Sequence, residues 1–281
     1  MSQKVVEDTE KLAKQIRLYI LEMLQNLGFG HVSGSLSISD VLAVLYGRIL
    51  RYDPKNPHKN DRDYFVLSKG HGGPALYSTL ALSGFFPKEE LLTINKIGTN
   101  FPSHADRLRT PGVDATTGSL GQGFSEAAGL AAAALLNDKG QKVYCIVGDG
   151  ELQEGQCWEA IQQIAHAKYA HFTLIVDDNG LQLDGALDNI CRSFSLDKKV
   201  EAFGWHTLCV DGHNHKEILK AFEEDCQGKP KAIILKTQKG YGVPKLTELG
   251  SHHWKKGGKD GSDAAIAQAI EHMKKEVEGI L

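Results

Sequence analysis

Short apolar runs alternate with helical segments through the second half of this 281-residue chain, and this alternation limits the fold more than any other feature. The runs are continuously apolar, which is typical of strands whose two faces are both covered. Strand–helix–strand succession with right-handed crossovers builds a parallel sheet. We therefore predict an α/β fold: a doubly wound, mostly parallel sheet with helices on both faces. The predicted strands are 143–147, 172–176, 205–210 and 232–235, and the predicted helices between them are 154–167, 198–203 and 216–222.

Helices predominate in the rest of the chain. Apolar residues at spacings of three and four predict them, and Pro74 suits a first helical turn. No linker-like stretch, internal repeat or block of like charge divides the sequence, so residues 1–281 are expected to form one domain. The predicted elements are a helix ending at Gly28, a helix capped by Ser39 or Asp40, a strand at 64–67, a helix from Gly72 to Leu82 and a last helix over 266–277.

The charge and apolar content exclude several classes of protein. Hydrophobic residues make up 41% of the chain and charged residues 24%, as expected for a globular protein and not for a disordered one. The formal net charge of -3 gives no electrostatic reason to expect nucleic-acid binding. The longest apolar run, 127–136, is far shorter than the roughly 20 residues that span a bilayer. We expect neither a nucleic-acid partner nor a membrane.

The cysteines and the first residues predict a cytoplasmic protein. The chain has 5 cysteines, with no CxxC pair and no metal-like spacing. Cys145 and Cys209 lie in strand-like runs and are expected to be small buried hydrophobic residues. The N-terminal segment has no apolar signal core, which also favours the cytoplasm.

Two acidic, glycine-containing turns follow neighbouring predicted strands. GDG occupies 148–150 and DDNG occupies 177–180, at the carboxyl ends where such sheets bind ligands. Asp149 and Asn179 lie 30 positions apart, which is about the length of one βαβ unit. Their oxygens, with a nearby main-chain carbonyl, are ligands that Mg²⁺ or Ca²⁺ prefers. The alternative is that both segments are merely tight turns, which these residue types also favour.

Common phosphate-binding motifs do not account for these turns. A dinucleotide-binding GxGxxG is absent, since the glycines within 28–34 have the wrong spacing and follow a helix. The run 150–155 is similar to the start of a P-loop but lacks the Lys-Ser/Thr that follows it there. Its acidic residues, Glu151 and Glu154, would repel a diphosphate unless a divalent metal ion bridged them.

The two turns resemble the thiamine diphosphate signature, GDG followed by a distal Asn, in the form found in the transketolase family. GDGELQEGQCWEA (148–160) precedes DDNGLQLDG (177–185), and the match continues in order over nearly the whole chain. It covers the N-terminal, diphosphate-binding domain of that family and is similar to the N-terminal subunit of a split transketolase. Further matching stretches are HVSGSLS (31–37), SKGHGGPALY (68–77), TTGSLGQGFSEAAG (116–129) and LKTQKGYG (235–242).

The resemblance implies ligands for a metal ion and for thiamine diphosphate. Asp149 and Asn179 would bind Mg²⁺ or Ca²⁺ through their side chains, and Leu181 would bind it through its main-chain carbonyl. Because a carbonyl ligand leaves no trace in the side chain, residue type alone gives no indication of Leu181. The residues implied to contact the cofactor are His71, Gly118, Ser119, Leu120, Gly148, Gly150, Glu154 and Asn179.

Glu154 has two interpretations. As an acidic residue in the first turn of a helix, it would stabilise the helix dipole by about 0.3–1 kcal/mol. The resemblance instead implies a buried acidic network that contains Glu154 and links two cofactor sites across a dimer interface.

Several histidines are implied to be catalytic. His31, His71 and His104 lie in glycine- or serine-containing loops, where a lone histidine is more often solvated than catalytic. In the family, such histidines surround the reactive carbon of the cofactor and the sugar hydroxyls, where a near-neutral pKa suits proton transfer. A further family histidine follows the KGxG segment. The residue count favours His253 for this position and a one-residue gap favours His252, so both are candidates.

The resemblance implies a transketolase that is active only with a partner. Its reaction transfers a two-carbon ketol unit from a ketose (phosphate) to an aldose (phosphate). In this cofactor class a glutamate bonds the pyrimidine N1′, and that residue belongs to a pyrimidine-binding domain that nothing in this sequence resembles. We expect a second subunit carrying the pyrimidine-binding and C-terminal domains, in an α2β2 heterotetramer. The alternatives are the α subunit of a 2-oxo acid dehydrogenase and a non-catalytic regulatory module that binds diphosphate or metal.

Overall fold

The computed structural model describes residues 2–183, 185–250 and 253–279. No helix within these ranges is long and apolar enough to cross a lipid bilayer. The α-helices are α1 (Gln3–Leu27), α2 (Val32–Leu36), α3 (Ser39–Val44), α4 (Gly73–Leu82), α5 (Gln122–Asn137), α6 (Gly155–His166), α7 (Leu187–Ile190), α8 (Leu196–Ala202), α9 (His215–Glu223), α10 (Pro244–Leu249) and α11 (Ser262–Glu278). The strands are β1 (Phe29–Gly30), β2 (Tyr64–Leu67), β3 (Val143–Gly148), β4 (Phe172–Asp178), β5 (Leu181–Gln182), β6 (Gly185–Ala186), β7 (His206–Asp211), β8 (Lys231–Lys236) and β9 (Trp254–Lys255).

A parallel sheet of β2, β3, β4, β8 and β7, in that order, forms the centre of the described chain. β8 follows β7 in sequence but lies between β4 and β7. The register places Gly148 beside Asp177 and Asp178 beside Lys236, so the strands end together at one edge. Two short antiparallel pairs, β1 with β9 and β5 with β6, lie outside this sheet. The predicted α/β fold with a mostly parallel sheet is confirmed.

Successive residues of the central strands face opposite layers of helices. On β3, Tyr144 and Ile146 belong to one hydrophobic cluster, whereas Cys145 and Val147 belong to the other. The first cluster includes residues of α1, α3, α4, α9 and α11, and the second includes residues of α5, α6 and α8. Because both faces of β3, β4 and β8 are buried, their sequences are continuously apolar.

Two local predictions are wrong. Cys209 is exposed, because β7 is the edge strand of the described sheet, next to β8, and is incompletely covered. Cys145 on the central β3 is buried as predicted. The expected cap of α3 is also absent: Ile38 occupies the N-cap position without a side-chain cap, and Ser39 is already helical. Asp40 instead accepts hydrogen bonds from distant side chains.

The loops that follow four strands of the sheet converge at one end of it. Lys69 follows β2, Asp149 follows β3, Asn179 follows β4 and Lys239 follows β8. All four residues line one cavity. Ligands of open α/β sheets bind at this end, beyond the carboxyl ends of the strands.

Candidate functional site

A cavity of about 310 Å³ lies beyond the carboxyl ends of the strands. We call it the carboxyl-end cavity. Ser119 and Glu154 are exposed and lie outside its lining, and His252 lies outside the described residues. The predicted site residues that do line it are His31, His71, His104, Gly118, Leu120, Gly148, Asp149, Gly150, Asn179, Leu181 and His253.

Asp149 presents a buried carboxylate at the end of β3. The residue is 1% exposed, and its oxygens accept hydrogen bonds from the backbone N–H groups of Gly150 at 2.8 Å and Gly180 at 2.6 Å. Burial, followed by the nearby charge of Asp177, raises the pKa of Asp149 to about 7. A divalent cation beside this carboxylate would favour its ionised form. The site therefore fits a metal ion.

Asn179 and Leu181 add oxygen donors next to Asp149. The Nδ2 of Asn179 donates to Asp177 at 3.1 Å, and its Oδ1 accepts the N–H of Leu181 at 3.1 Å. The second lone pair of Oδ1 can accept another partner. A carboxylate, an amide oxygen and a main-chain carbonyl are the hard donors that Mg²⁺ or Ca²⁺ takes. Within the described ranges, no group of three or more His, Cys, Asp or Glu could hold a metal ion, so a cation here depends on this mixed set.

Asp177, at the end of β4, joins the loops beneath the cavity. Its fully buried carboxylate accepts hydrogen bonds from Lys69 at 2.5 Å, Thr237 at 2.5 Å and Ser37 at 2.8 Å, besides that from Asn179. Burial alone would raise the pKa of Asp177, but the charge of Lys69 and these hydrogen bonds outweigh it and lower the pKa. An ionised Asp177 therefore fixes the side chain of Asn179.

Four histidines meet at the cavity. The ring centroid of His31 lies 4.3 Å from that of His253, 5.5 Å from that of His71 and 5.9 Å from that of His104. Burial, followed by the charges of Lys69 and the other histidines, holds the pKa of His71 well below its usual value. Burial also lowers the pKa of His104. Both rings are therefore neutral at neutral pH, with one nitrogen as donor and the other as acceptor.

Two buried lysines line the cavity and were not among the predicted site residues. Lys69 is 1% exposed and donates to Gly34 O at 2.9 Å besides its ion pair with Asp177. Lys239 is 7% exposed, and its ammonium group has no hydrogen-bond or ion-pair partner among the residues the structure describes. Burial, followed by the charge of Lys69, lowers the pKa of Lys239 to about 8. Because Asp177 neutralises Lys69, it is the ammonium group of Lys239 that favours an anionic ligand.

Glu151 also lines the cavity, but it is turned toward the protein backbone. Its Oε1 accepts from Ser68 Oγ at 2.5 Å and Gly121 N at 2.8 Å, and its Oε2 accepts from Gly148 N at 3.1 Å. Burial raises the pKa of Glu151 although these hydrogen bonds oppose the rise. The donors lie in the loop after β2 (Ser68), just before α5 (Gly121) and at the last residue of β3 (Gly148). Glu151 therefore joins the loops after β2 and before α5 to the end of β3.

Replacing Glu151 with glutamine is expected to lower the free energy of unfolding by about 1–3 kcal/mol, the cost of an unsatisfied buried group. The glutamine oxygen can still accept from Ser68 and Gly121, but its NH₂ group would then face the N–H of Gly148. Denaturant unfolding measures the change. Glu159→Gln on the exposed face of α6 is the matched control, and equal effects of the two substitutions would contradict this role.

Two glycines, Gly70 and Gly123, lie where the backbone segments around the cavity approach one another closely. A Cβ atom on Gly70 would lie 2.7 Å from Gly118 N, and one on Gly123 would lie 2.8 Å from the Cα of Ser68. Both contacts are with backbone atoms, which cannot move aside without shifting a loop. Glycine at these two positions therefore permits the packing of the cavity wall.

Known proteins of one family match this chain. The family model for the transketolase thiamine diphosphate binding domain matches residues 8–275. The chain is 49% identical over 251 residues to the 6-deoxy-6-sulfo-D-fructose transketolase subunit SqwG of Clostridium sp. (strain MSTE9), covering 88% of this chain and 91% of that protein. It is 38% identical over 239 residues to a subunit of the apulose-4-phosphate transketolase of Actinobacillus succinogenes, covering 84% of this chain and 87% of that protein.

Complete transketolases match over part of their length. The chain is 38% identical over 260 residues to the transketolase of Homo sapiens. The aligned region covers 90% of this chain but 40% of that protein. The crystal structure of transketolase from Campylobacter jejuni superposes with a TM-score of 0.82 and 30% identity, over 99% of this chain and 48% of that one. The chain thus spans less than half the length of these relatives.

Proposed function

Because this chain belongs to the transketolase family, whose thiamine diphosphate-binding domain it carries, we propose that it is the N-terminal subunit of a two-subunit transketolase. Residues 1–281 then form one domain that binds thiamine diphosphate and a divalent metal ion. A partner subunit with the pyrimidine-binding and C-terminal domains completes the enzyme, as an α2β2 heterotetramer. The carboxyl-end cavity carries this proposal, since metal-type oxygens, two buried ammonium groups and four histidines meet there.

The anionic end of the cofactor would be held at the loops after β3, β4 and β8. Asp149, Asn179 and the carbonyl of Leu181 would hold Mg²⁺ or Ca²⁺, and Gly150, whose N–H donates to Asp149, would lie beside the diphosphate. Among the described residues, the Lys239 ammonium group has no ion-pair partner, and the diphosphate would supply one. When bound, thiamine diphosphate supplies the nucleophilic carbon that adds to a ketose carbonyl and permits the C2–C3 bond to break.

The histidines would hold and move protons at the sugar oxygens. Neutral His71 and His104 can each donate to one oxygen and accept from another. His31 lies between the other three rings, so a hydroxyl or a developing alkoxide beside it would be within reach of several donors. His253 is the described candidate for the fourth histidine.

We propose a ketose with an anionic terminal group, a sulfonate or a phosphate, as the donor of the two-carbon unit, and an aldose as its acceptor. The names of the two subunit relatives specify 6-deoxy-6-sulfo-D-fructose and apulose-4-phosphate, and the chain is more similar to the first of these proteins. Parallel assays with a sulfonated and a phosphorylated ketose distinguish the two anions.

Calorimetric titration with thiamine diphosphate and Mg²⁺, with and without the partner subunit, tests the proposal. The partner is expected to tighten binding at least about 10-fold, because additional contacts worth about 1.4 kcal/mol suffice for that change. Equally tight binding by the isolated chain would support a regulatory module instead. Absence of binding by the complex would contradict the proposal. Turnover of a 2-oxo acid in place of a ketose would favour the dehydrogenase-type alternative.

A further inference from the structure

Asp40, on α3, is a buried carboxylate outside the carboxyl-end cavity. It is 3% exposed, and its oxygens lie 2.7 Å from His213 Nδ1 and 2.9 Å from His215 Nε2. Burial alone would raise the pKa of Asp40, but the guanidinium of Arg17 and the hydrogen bonds of the histidines outweigh it and hold that pKa well below its usual range. Asp40 is therefore ionised. We call Asp40, Arg17, His213 and His215 the Asp40 cluster.

The Asp40 cluster lies against the loop that joins β8 to α10. This loop, residues 237–243, is named here the lysine loop because its Lys239 lines the carboxyl-end cavity. Gln238 and Tyr241 instead line a second cavity of about 650 Å³ together with the Asp40 cluster. The lysine loop thus separates the cofactor site from the Asp40 cluster.

His213 connects Asp40 to the backbone next to Lys239. Since Asp40 is ionised, Nδ1 of His213 carries the proton and donates to it, and Nε2 accepts the backbone N–H of Gln238 at 2.9 Å. The ring also stacks on Tyr241, with 3.5 Å between centroids and 9° between planes. His213 therefore contacts residues on both sides of Lys239.

The Thr237 hydroxyl and the Gly240 backbone N–H also anchor the lysine loop. Thr237 donates to Asp177, and the N–H of Gly240 donates to Ser33 O at 3.0 Å. The side chain of Lys239 makes no hydrogen bond or ion pair within the described chain. The direction of its ammonium group is therefore set by the loop and not by a partner of its own.

We propose that His213 is a positioning residue: through Gln238 and Tyr241 it holds the lysine loop so that Lys239 meets an anionic diphosphate in the carboxyl-end cavity. This inference rests on the proposed function, because it takes a diphosphate as the ligand of Lys239. It assigns a role to the Asp40 cluster, which otherwise has no part in the chemistry. Asp40 would orient His213 and fix the proton on Nδ1, leaving Nε2 as the acceptor.

Amide hydrogen exchange of the free chain tests the anchor without any cofactor. His213→Phe keeps a flat ring for Tyr241 but removes both nitrogens, and it is expected to speed exchange of the Gln238 amide at least about 10-fold, equivalent to about 1.4 kcal/mol. His213→Asn keeps a donor for Asp40 but is too short to reach Gln238. His213→Asn is expected to give the same increase in the exchange rate of the Gln238 amide. It replaces His213→Phe as the test variant if the phenylalanine variant does not fold.

The controls separate the anchor from a general loss of structure. His213→Gln retains an oxygen that can accept the N–H of Gln238, so protection is expected to return in this variant. His166→Phe, at an exposed position of α6, is expected to leave exchange unchanged. Unchanged exchange in both His213→Phe and His213→Asn would overturn the proposal.

A double-mutant cycle then asks whether His213 acts through Lys239. In the complex with the partner subunit, His213→Phe is expected to raise the Kd for thiamine diphosphate with Mg²⁺ about 10-fold. In a Lys239→Ala background the same substitution is expected to raise it less than about twofold. Equal penalties in the two backgrounds would mean a purely structural role and would overturn the inference. If the complex of unsubstituted chains takes up no thiamine diphosphate, the proposed function is refuted. The diphosphate is then also refuted as the ligand of Lys239.

Discussion

Replacement of Asp149 with asparagine is expected to weaken thiamine diphosphate uptake by roughly 100-fold or more, since breaking a buried charge pair costs about 3–5 kcal/mol and about 1.4 kcal/mol is tenfold. The amide has nearly the same shape as the carboxylate but carries no charge to balance a divalent metal ion. Both carboxylate oxygens also accept backbone N–H groups, from Gly150 and Gly180. One of those two donors would face the NH₂ group of the asparagine and lose its acceptor.

Calorimetric titration of the complex with thiamine diphosphate and Mg²⁺ measures this loss. Asp178→Asn is the matched control, because Asp178 ends the neighbouring strand, pairs with the exposed Lys236 and does not line the cavity. Its effect is expected to stay within about twofold, as for a surface ion pair. Circular dichroism and the unfolding midpoint establish that both variants fold. Unimpaired uptake by folded Asp149→Asn protein would show that the metal and diphosphate bind elsewhere.

The central strands could be predicted from the sequence because their two faces are buried. β3 and β4 read as continuous apolar runs for that reason, and their ends marked the turns that contain Asp149 and Asn179. Strand order was less accessible, since nothing in the run of β8 indicates that it lies between β4 and β7. The exposure of Cys209 was missed because the sequence does not show that β7 is an edge strand. An edge strand can have an apolar sequence although its two faces are not both buried.

Residues of the candidate site could be predicted where residue type and local spacing indicate the chemistry. Asp149 and Asn179 are polar oxygen donors next to strand ends, and His31, His71 and His104 stood out through their loops. Leu181 followed from the family resemblance alone, because its side chain has no part in the predicted contact.

The buried charges of the site could not be predicted from local patterns. Glu151 is satisfied by Ser68 and Gly121, which are 83 and 30 positions away in the chain. Lys69 is likewise neutralised by Asp177, 108 positions away. Lysine and glutamate are ordinarily solvated, so their burial becomes visible only when these distant partners are placed together. These contacts give Glu151 a structural role, and its repulsion of a diphosphate without a bridging metal ion stays a prediction.

The isolated chain is expected to show no transketolase turnover above background, whereas equimolar partner subunit is expected to restore it. The cofactor needs an acid to bond the pyrimidine N1′, and a missing general acid or base typically costs about 100- to 10,000-fold in rate. Among the described residues that line the carboxyl-end cavity, the carboxylates are Asp149 and Glu151. Both are already engaged by backbone or hydroxyl donors of this chain, and Asp149 is also the proposed ligand of the metal ion.

The measurement is steady-state turnover of a sulfonated or phosphorylated ketose with an aldose acceptor, thiamine diphosphate and Mg²⁺. Rates are recorded at a fixed concentration of the chain while the partner subunit is added, and they are expected to rise and then saturate near a one-to-one ratio. The Asp149→Asn chain, titrated in the same way, is the control for activity that the partner subunit brings by itself. Substantial turnover by the isolated chain would mean that an acid of its own reaches the pyrimidine, and the requirement for a second subunit would then be wrong. Saturation far from equimolarity would contradict the proposed α2β2 assembly while leaving the need for a partner in place.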